Sequence, residues 1–316
     1  VQYLAIVAFG IPFLIISNAF SNIIRSEGQA NIAMLGMIIG NLINIVLDPV
    51  MILGFKWNVA GAAIATVLGN VFSACFYAVH LSSKKSMLSI KLSDYSFEKR
   101  IIGGVFAIGI PASLNSILMS VSNIVINSFM AKHGDLQLAG LGVAMKVNMI
   151  AVMLLIGVGT GIQPLLGYCF GAGNRQRYKS VLLFSTVFAF ALSCVMTAIC
   201  YIGAAPLARA FLDNDEAFGY AFEFSRIYIM SGPILGILFV FMNAIQSMGA
   251  AIPSLILSVS RQGIIYFPIL LTISVVNNTP KHLAMTQPCT DYIAAALAVV
   301  LFLVAYKKYF KQSAEN

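Results

Sequence analysis

Asn41, Asn44 and Asp48 are spaced i, i+3 and i+7 inside an apolar run from 31 to 54, so in a helix they share one face. Asp48 is the residue with the most chemistry to offer. If the run crosses a bilayer, the carboxylate lies about six residues, or roughly 9 Å of helix, from one end. A charge at that depth costs about 2.5–3.5 kcal/mol on insertion scales. It is tolerated where it faces a wet cavity, binds a cation, or stays protonated because desolvation favours the neutral acid. The bland reading is a hydrogen bond from Asp48 to a neighbouring helix, and both readings stay open here.

A second polar set follows the same logic. Ser116, Ser120, Asn123 and Asn127 fall at i, i+4, i+7 and i+11, one stripe on an otherwise apolar helix. Such a stripe suits the wall of a water-filled cavity or a line of interhelical hydrogen bonds. Lys146 is placed to snorkel outward, and Arg261 lies deep in an apolar run and needs a partner. Glu223 and Arg226 are spaced as an i, i+3 pair. Asp213, Asp215 and Glu216 read as a helix start rather than a metal site. Pro111, the glycines of 157–161 and Pro164 mark places where helices can bend or break. No H-E-x-x-H, G-x-S-x-G or P-loop is present, and His80, His133 and His282 have no carboxylate at ligand spacing. The five cysteines form no C-x-x-C pair and read as packing residues.

The elements that hold these residues are set by composition. The chain has 316 residues, 59% hydrophobic and only 9% charged. A soluble domain carries about 25% charged residues, so lipid must be part of the solvent here. Nine spans are expected, near 3–24, 31–54, 58–81, 101–130, 136–169, 180–203, 218–248, 252–275 and 290–309. Each reaches the ~20 residues that cross ~30 Å of hydrocarbon. The net charge of +8 does not point to nucleic acid, because the basic residues sit in short loops between apolar runs. Twelve of them, among them Arg25, Lys84, Lys99, Arg175, Lys179 and Lys307, fall in one set of alternate loops and the C-terminus, against Lys56, Lys132, Arg209 and Lys281 in the other. That asymmetry places the C-terminus in the cytoplasm. Residues 83–100 form a polar, basic linker.

Sliding the sequence by 221 residues aligns Ile11–Ala30 with Gly232–Ala251 without a gap. Pro12, Asn22, Ser26 and Gly28 recur as Pro233, Asn243, Ser247 and Gly249. The copies fall in the first and seventh expected spans, an offset of six, so this is a parallel repeat about an axis along the membrane normal. Before the second copy come three spans starting near Ile101. The same arrangement for the first copy would need a segment before Val1, so the expectation is a two-lobe protein with nine of twelve helices in this chain. On that reading 1–82 is the end of the first lobe, 83–100 the linker and 101–316 the second lobe.

Three runs then resemble a known family. Arg25-Ser-Glu-Gly28, Asn44-Ile-Val-Leu-Asp48-Pro49 and Val59-Ala-Gly-Ala-Ala-Ile-Ala-Thr66 are similar to the signature of the fourth to sixth helices of MATE (multidrug and toxic compound extrusion) transporters. Gly109-Ile-Pro-Ala112 and the run from Gln163 to Asn174 resemble the seventh- and eighth-helix motifs, and Gln246-Ser-Met-Gly249 with Leu257–Gly263 resembles the MepA-like branch near the DinF subfamily. The resemblance covers essentially the whole chain and implies an all-α, two-lobe polytopic membrane protein.

It also implies a function: a monomeric exporter of cationic amphipathic drugs in the bacterial inner membrane, driven by H⁺ or Na⁺, with no other cofactor. The cation site of related transporters maps onto Asn44, Asp48 and Thr66, with a further Asp on a first helix that this chain would lack. Asn41 joins that set from its spacing; Ser116, Ser120, Asn123, Asn127 and Gln163 are candidate cavity residues. The second-lobe acids of NorM-like members fall at Met119 and at Ala250 or Ala251, which places coupling in the first lobe. A chain short of three helices is not expected to transport by itself. The alternatives are a lipid-linked saccharide flippase of the same superfamily and, from another class, a membrane-embedded enzyme.

Overall fold

Apolar runs of this length satisfy their backbone polar groups internally when they coil, and that is what the chain does. The computed structural model describes residues 2–83, 98–212 and 214–312, and the regular structure among them is entirely helical. Two compact units are present, Val1–Phe97 and Glu98–Asn316. The first holds α1 (Gln2–Ser26), α2 (Ala30–Pro49) and α3 (Asn58–Leu81), with a π-helical turn, Val50–Gly54, extending α2. The second holds α4 (Lys99–Ala131), α5 (Asp135–Gly171), α6 (Arg175–Ile202), α7 (Ala204–Phe211), α8 (Asp215–Ile229) and α9 (Gly232–Ser247). It continues with α10 (Ala251–Val259), a π turn (Ser260–Ile264), α11 (Tyr266–Val276), α12 (Pro280–Ala284) and α13 (Thr286–Gln312).

Eight stretches among the described residues are long and apolar enough to span a bilayer, and α8 with α9 makes a ninth, bent by 47°. The nine expected spans are therefore all present as helices. Large apolar side chains face outward: Phe9 and Val275 are each 83% exposed. In water that surface would drive aggregation; in a bilayer it is the lipid contact.

The helix breaks differ from those expected. α5 runs unbroken through the glycines of 157–161 and Pro164. The seventh span, expected to be continuous, breaks at Met230–Ser231. Pro233 explains this: it has no N–H to give a preceding turn, and it sits in the first turn of α9, where none is needed. The last span begins at Thr286 rather than 290, which sets Asp291 more than a turn inside the helix instead of at its start. Most of the expected linker, from 84 to 97, lies outside the described residues, as does Asp213.

The repeat is visible in the backbone. Gly28 and Gly249 have φ of 82° and 67°, the left-handed region where a side chain is disfavoured. Both close their helix with the same bond: Gln29 N donates to Ile24 O at 3.2 Å, and Ala250 N to Ile245 O at 3.4 Å. Each pair of bonded residues is offset by 221, the same shift that aligns the sequences.

Small residues let the helices of the first unit approach. A Cβ on Gly69 would lie 2.6 Å from the carbonyl oxygen of Gly40, and Gly36 faces the ring of Tyr77. Tyr77 Oη donates to Ala33 O at 2.6 Å and Ser73 Oγ to Gly36 O at 2.9 Å, pinning α3 to α2. In the second unit α5 packs against α6, α8 and α9, and α4 lies against α10.

Candidate functional site

Three helices of the first unit each turn one polar stripe toward a common space. α1 contributes Ser17 and Asn18, α2 contributes Gly40, Asn41 and Asn44, and α3 contributes Thr66, Gly69, Asn70 and Ser73. The α2 and α3 residues are three, four and seven apart, the spacing of a single helical face. The Gly40–Gly69 contact holds α2 and α3 close enough for these stripes to share one cavity of about 210 Å³.

The hydrogen bonds in this pocket leave amide oxygens free among the described residues. Asn18 Nδ2 donates to Leu14 O at 2.9 Å and Asn70 Nδ2 to Thr66 O at 3.1 Å, each one helical turn back. Asn44 Nδ2 donates to Thr66 Oγ1 at 3.4 Å, and Thr66 Oγ1 donates to Ala62 O at 2.9 Å. Each of these amides donates one bond within the protein, while among the described residues the amide oxygens of Asn18, Asn44 and Asn70 accept none. Neutral carbonyl and hydroxyl oxygens gathered in a small cavity are ligands for a hard cation or for water.

Of the residues singled out from the sequence, Asn41, Asn44 and Thr66 meet here, and Asn44 touches Thr66 directly. Asp48 lies one turn further along the same face of α2 and does not line the cavity. It is half-buried, and its Oδ1 is enclosed with no hydrogen-bond partner among the described residues. A buried carboxylate oxygen without a donor is costly unless a proton, cation or water supplies one. Asn18 and Asn70 went unread in the sequence; Asn70, four residues from Thr66, was within reach of the same spacing argument.

The α4 stripe behaves differently. Ser116, Ser120 and Asn123 are exposed and Asn127 is half-buried. Ser116 and Ser120 donate to the carbonyls of Ala112 and Ser116 in their own helix, at 3.4 and 3.0 Å. None of the four makes an interhelical bond among the described residues. That role falls to Ser122, whose Oγ donates to Gln262 O at 2.8 Å. Gln163 reaches α9, its Nε2 lying 3.5 Å from Gln246 Oε1.

Arg261 finds its partner. Its Nη2 lies 3.0 Å from Asp291 Oδ1 on α13, with Nε at 3.3 Å, and both residues are buried. Gln287 Nε2 also donates to Asp291 Oδ1 at 3.1 Å, and Ser231 Oγ to Oδ2 at 3.1 Å. The pair ties the π turn and α13 to the break between α8 and α9. The pairing of Glu223 with Arg226 is not formed: Glu223 Oε1 meets Lys281 Nζ at 2.7 Å, and Arg226 stacks on Tyr201 and Phe222. Lys281 lies directly over Glu223, and the two aromatic rings offer Arg226 a cation–π seat. Lys146 Nζ sits 5.0 Å above the ring of Phe211. Asn214 Oδ1 accepts from the N–H groups of Glu216 and Ala217, which makes the acidic run the start of α8.

The MatE family model matches residues 1–50 and 111–272 of the chain. A multidrug export protein, MepA, of Staphylococcus saprophyticus is 28% identical over 272 residues, covering 86% of this chain and 60% of the relative. The Staphylococcus aureus protein of the same name is 30% identical over 271 residues, covering 85% of this chain and 59% of the relative. The chain therefore spans about three-fifths of the length of these curated relatives. A solved structure described as the outward-facing conformation of a multidrug resistance MATE family transporter superposes with a TM-score of 0.89 at 25% identity, over 98% of this chain and 69% of that one.

Proposed function

This chain belongs to the MATE family, and from that premise we propose that it forms part of a cation-driven exporter of cationic amphipathic drugs, with its C-terminus in the cytoplasm. Its work is vectorial transport and not catalysis. Relatives named as multidrug export proteins support the substrate class. The observation that carries the coupling reading is the convergence of Asn41, Asn44 and Thr66 on one polar pocket, with Asp48 a turn away holding an unpartnered, enclosed carboxylate oxygen.

In the proposed cycle H⁺ or Na⁺ binds at Asp48, with Asn44 and Thr66 supplying neutral oxygens. Ion binding and drug binding stabilise different states, and the ion gradient drives the exchange. A ligand shifts such an equilibrium only by its differential affinity for the two states, so the acid must see a different environment in each. The stripe of Ser116, Ser120, Asn123 and Asn127 is exposed on α4 and is a candidate wall for the drug path.

The experiment is ethidium accumulation in cells expressing the complete reading frame that contains this chain. Selective ionophores collapse the proton or the sodium gradient in turn. The reading expects lowered accumulation that is lost when one of the two gradients is removed. Accumulation equal to that of cells without the protein, gradients intact, contradicts it.

A further inference from the structure

The start of α6 and the end of α13 are locked together by aromatic rings. Phe310, buried, lies 4.9 Å from Phe170, 5.1 Å from Tyr178 and 4.6 Å from Tyr306, centroid to centroid. Tyr178 is fully buried, and its Oη donates to Ala244 O at 3.2 Å, fixing the platform to α9. Basic side chains rest on this platform. The Arg175 guanidinium sits 5.7 Å over the Phe310 ring and donates to the Phe310 carbonyl, one of the last carbonyls of α13. Lys179 Nζ lies 5.9 Å over Tyr306. Arg177, Lys307 and Lys308 flank them, exposed.

No carboxylate lies within ion-pair distance of any of these five among the described residues. Five like charges crowded at one end of two membrane helices repel one another unless an anion joins them. Beneath these side chains Tyr306 Oη is enclosed with no hydrogen-bond partner among the described residues, so the ring serves the platform through its face. The site lies where two apolar spans end, and span ends are where a bilayer presents its headgroups.

We propose that Arg175, Lys179 and the Tyr306 platform form a binding site for the phosphodiester of an anionic phospholipid. Arg175 is held in place by its own hydrogen bond, so its remaining N–H groups face the headgroup as fixed donors. Lys179 adds a point charge beside it, and the acyl chains run along the exposed apolar faces of α6 and α13. The inference rests on the chain being a membrane protein and is independent of what it exports.

The test is native mass spectrometry of the purified chain in detergent with phosphatidylglycerol or phosphatidylcholine added. One phosphatidylglycerol should be retained in preference. Lys179→Ala combined with Arg175→Gln, where glutamine keeps a donor for the Phe310 carbonyl, should weaken retention roughly thirtyfold, about tenfold or less for each charge removed. Arg209→Ala in α7 and Lys132→Ala at the C-terminal end of α4 should leave it unchanged. Thermal unfolding of each variant shows that it is folded. Equal retention of both lipids, equal loss in the control variants, or displacement by inorganic phosphate would overturn the proposal. Lost drug export with lipid retention intact would strike only the transport reading.

Discussion

Arg261 Nη2 and Asp291 Oδ1 stand 3.0 Å apart in the interior of the second unit, with Asp291 only 1% exposed. Four donors on Arg261, Gln287 and Ser231 reach the one carboxylate. Removing one partner leaves a buried charge with nothing opposite it, which typically costs about 3–5 kcal/mol. Asp291→Ala should therefore destabilise the protein by that order. Arg261→Met with Asp291→Leu should recover most of the loss, because an apolar pair of similar volume avoids the desolvation. Thiol-dye thermal unfolding in detergent reads both. A double variant as unstable as the single one would show that the pair does more than neutralise itself.

The polar pocket depends on how closely α2 and α3 approach. A Cβ at Gly69 would meet the backbone oxygen of Gly40 at 2.6 Å, and backbone cannot swing aside as a side chain can. Gly69→Ala should force the helices apart and cost about 1–3 kcal/mol. It should also lengthen the Asn44–Thr66 bond. Unfolding temperature reports the first effect, and a distance between spin labels on α2 and α3 reports the second. An unchanged distance would mean that the Gly40–Gly69 contact does not set the pocket's width.

The two glycine turns make a matched pair. With φ of 82° and 67°, Gly28 and Gly249 should each lose about 1 kcal/mol on substitution by alanine, and less by asparagine, which tolerates the left-handed region. No heavy atom lies within 4 Å of the added Cβ at either site, so the cost is conformational alone. Unfolding of Gly28→Ala, Gly249→Ala and the asparagine variants checks the ordering. A loss well above that at only one of them would show that the two turns are not equivalent.

Much of this architecture was legible because lipid-exposed helices announce themselves in long apolar runs, and because Gly28 and Gly249 repeat with their surroundings. The face shared by Asn41, Asn44 and Asp48 was legible from spacing alone. Asn18 was not, since a single asparagine in an apolar helix has no meaning until its neighbours are placed. The α4 stripe shows the opposite limit. Periodicity picked out Ser116, Ser120, Asn123 and Asn127 as one face, yet the helix packs through Ser122, because a repeat says which residues align and not which side meets a partner. Asp291 was missed through the mildly polar segment from His282 to Thr290. It delayed the expected start of the last span and left the partner of Arg261 near a loop.

In the proposed cycle Asp48, one turn from the Asn44–Thr66 contact, couples ion entry to drug exit. The most direct measurement is ethidium export by the complete protein carrying Asp48→Asn, which keeps the side chain's size and removes its charge. Accumulation should rise to the level of cells lacking the protein, with the protein's abundance in the membrane unchanged. Export at the wild-type rate would contradict the account, since the pocket would then be a packing feature and coupling would lie elsewhere.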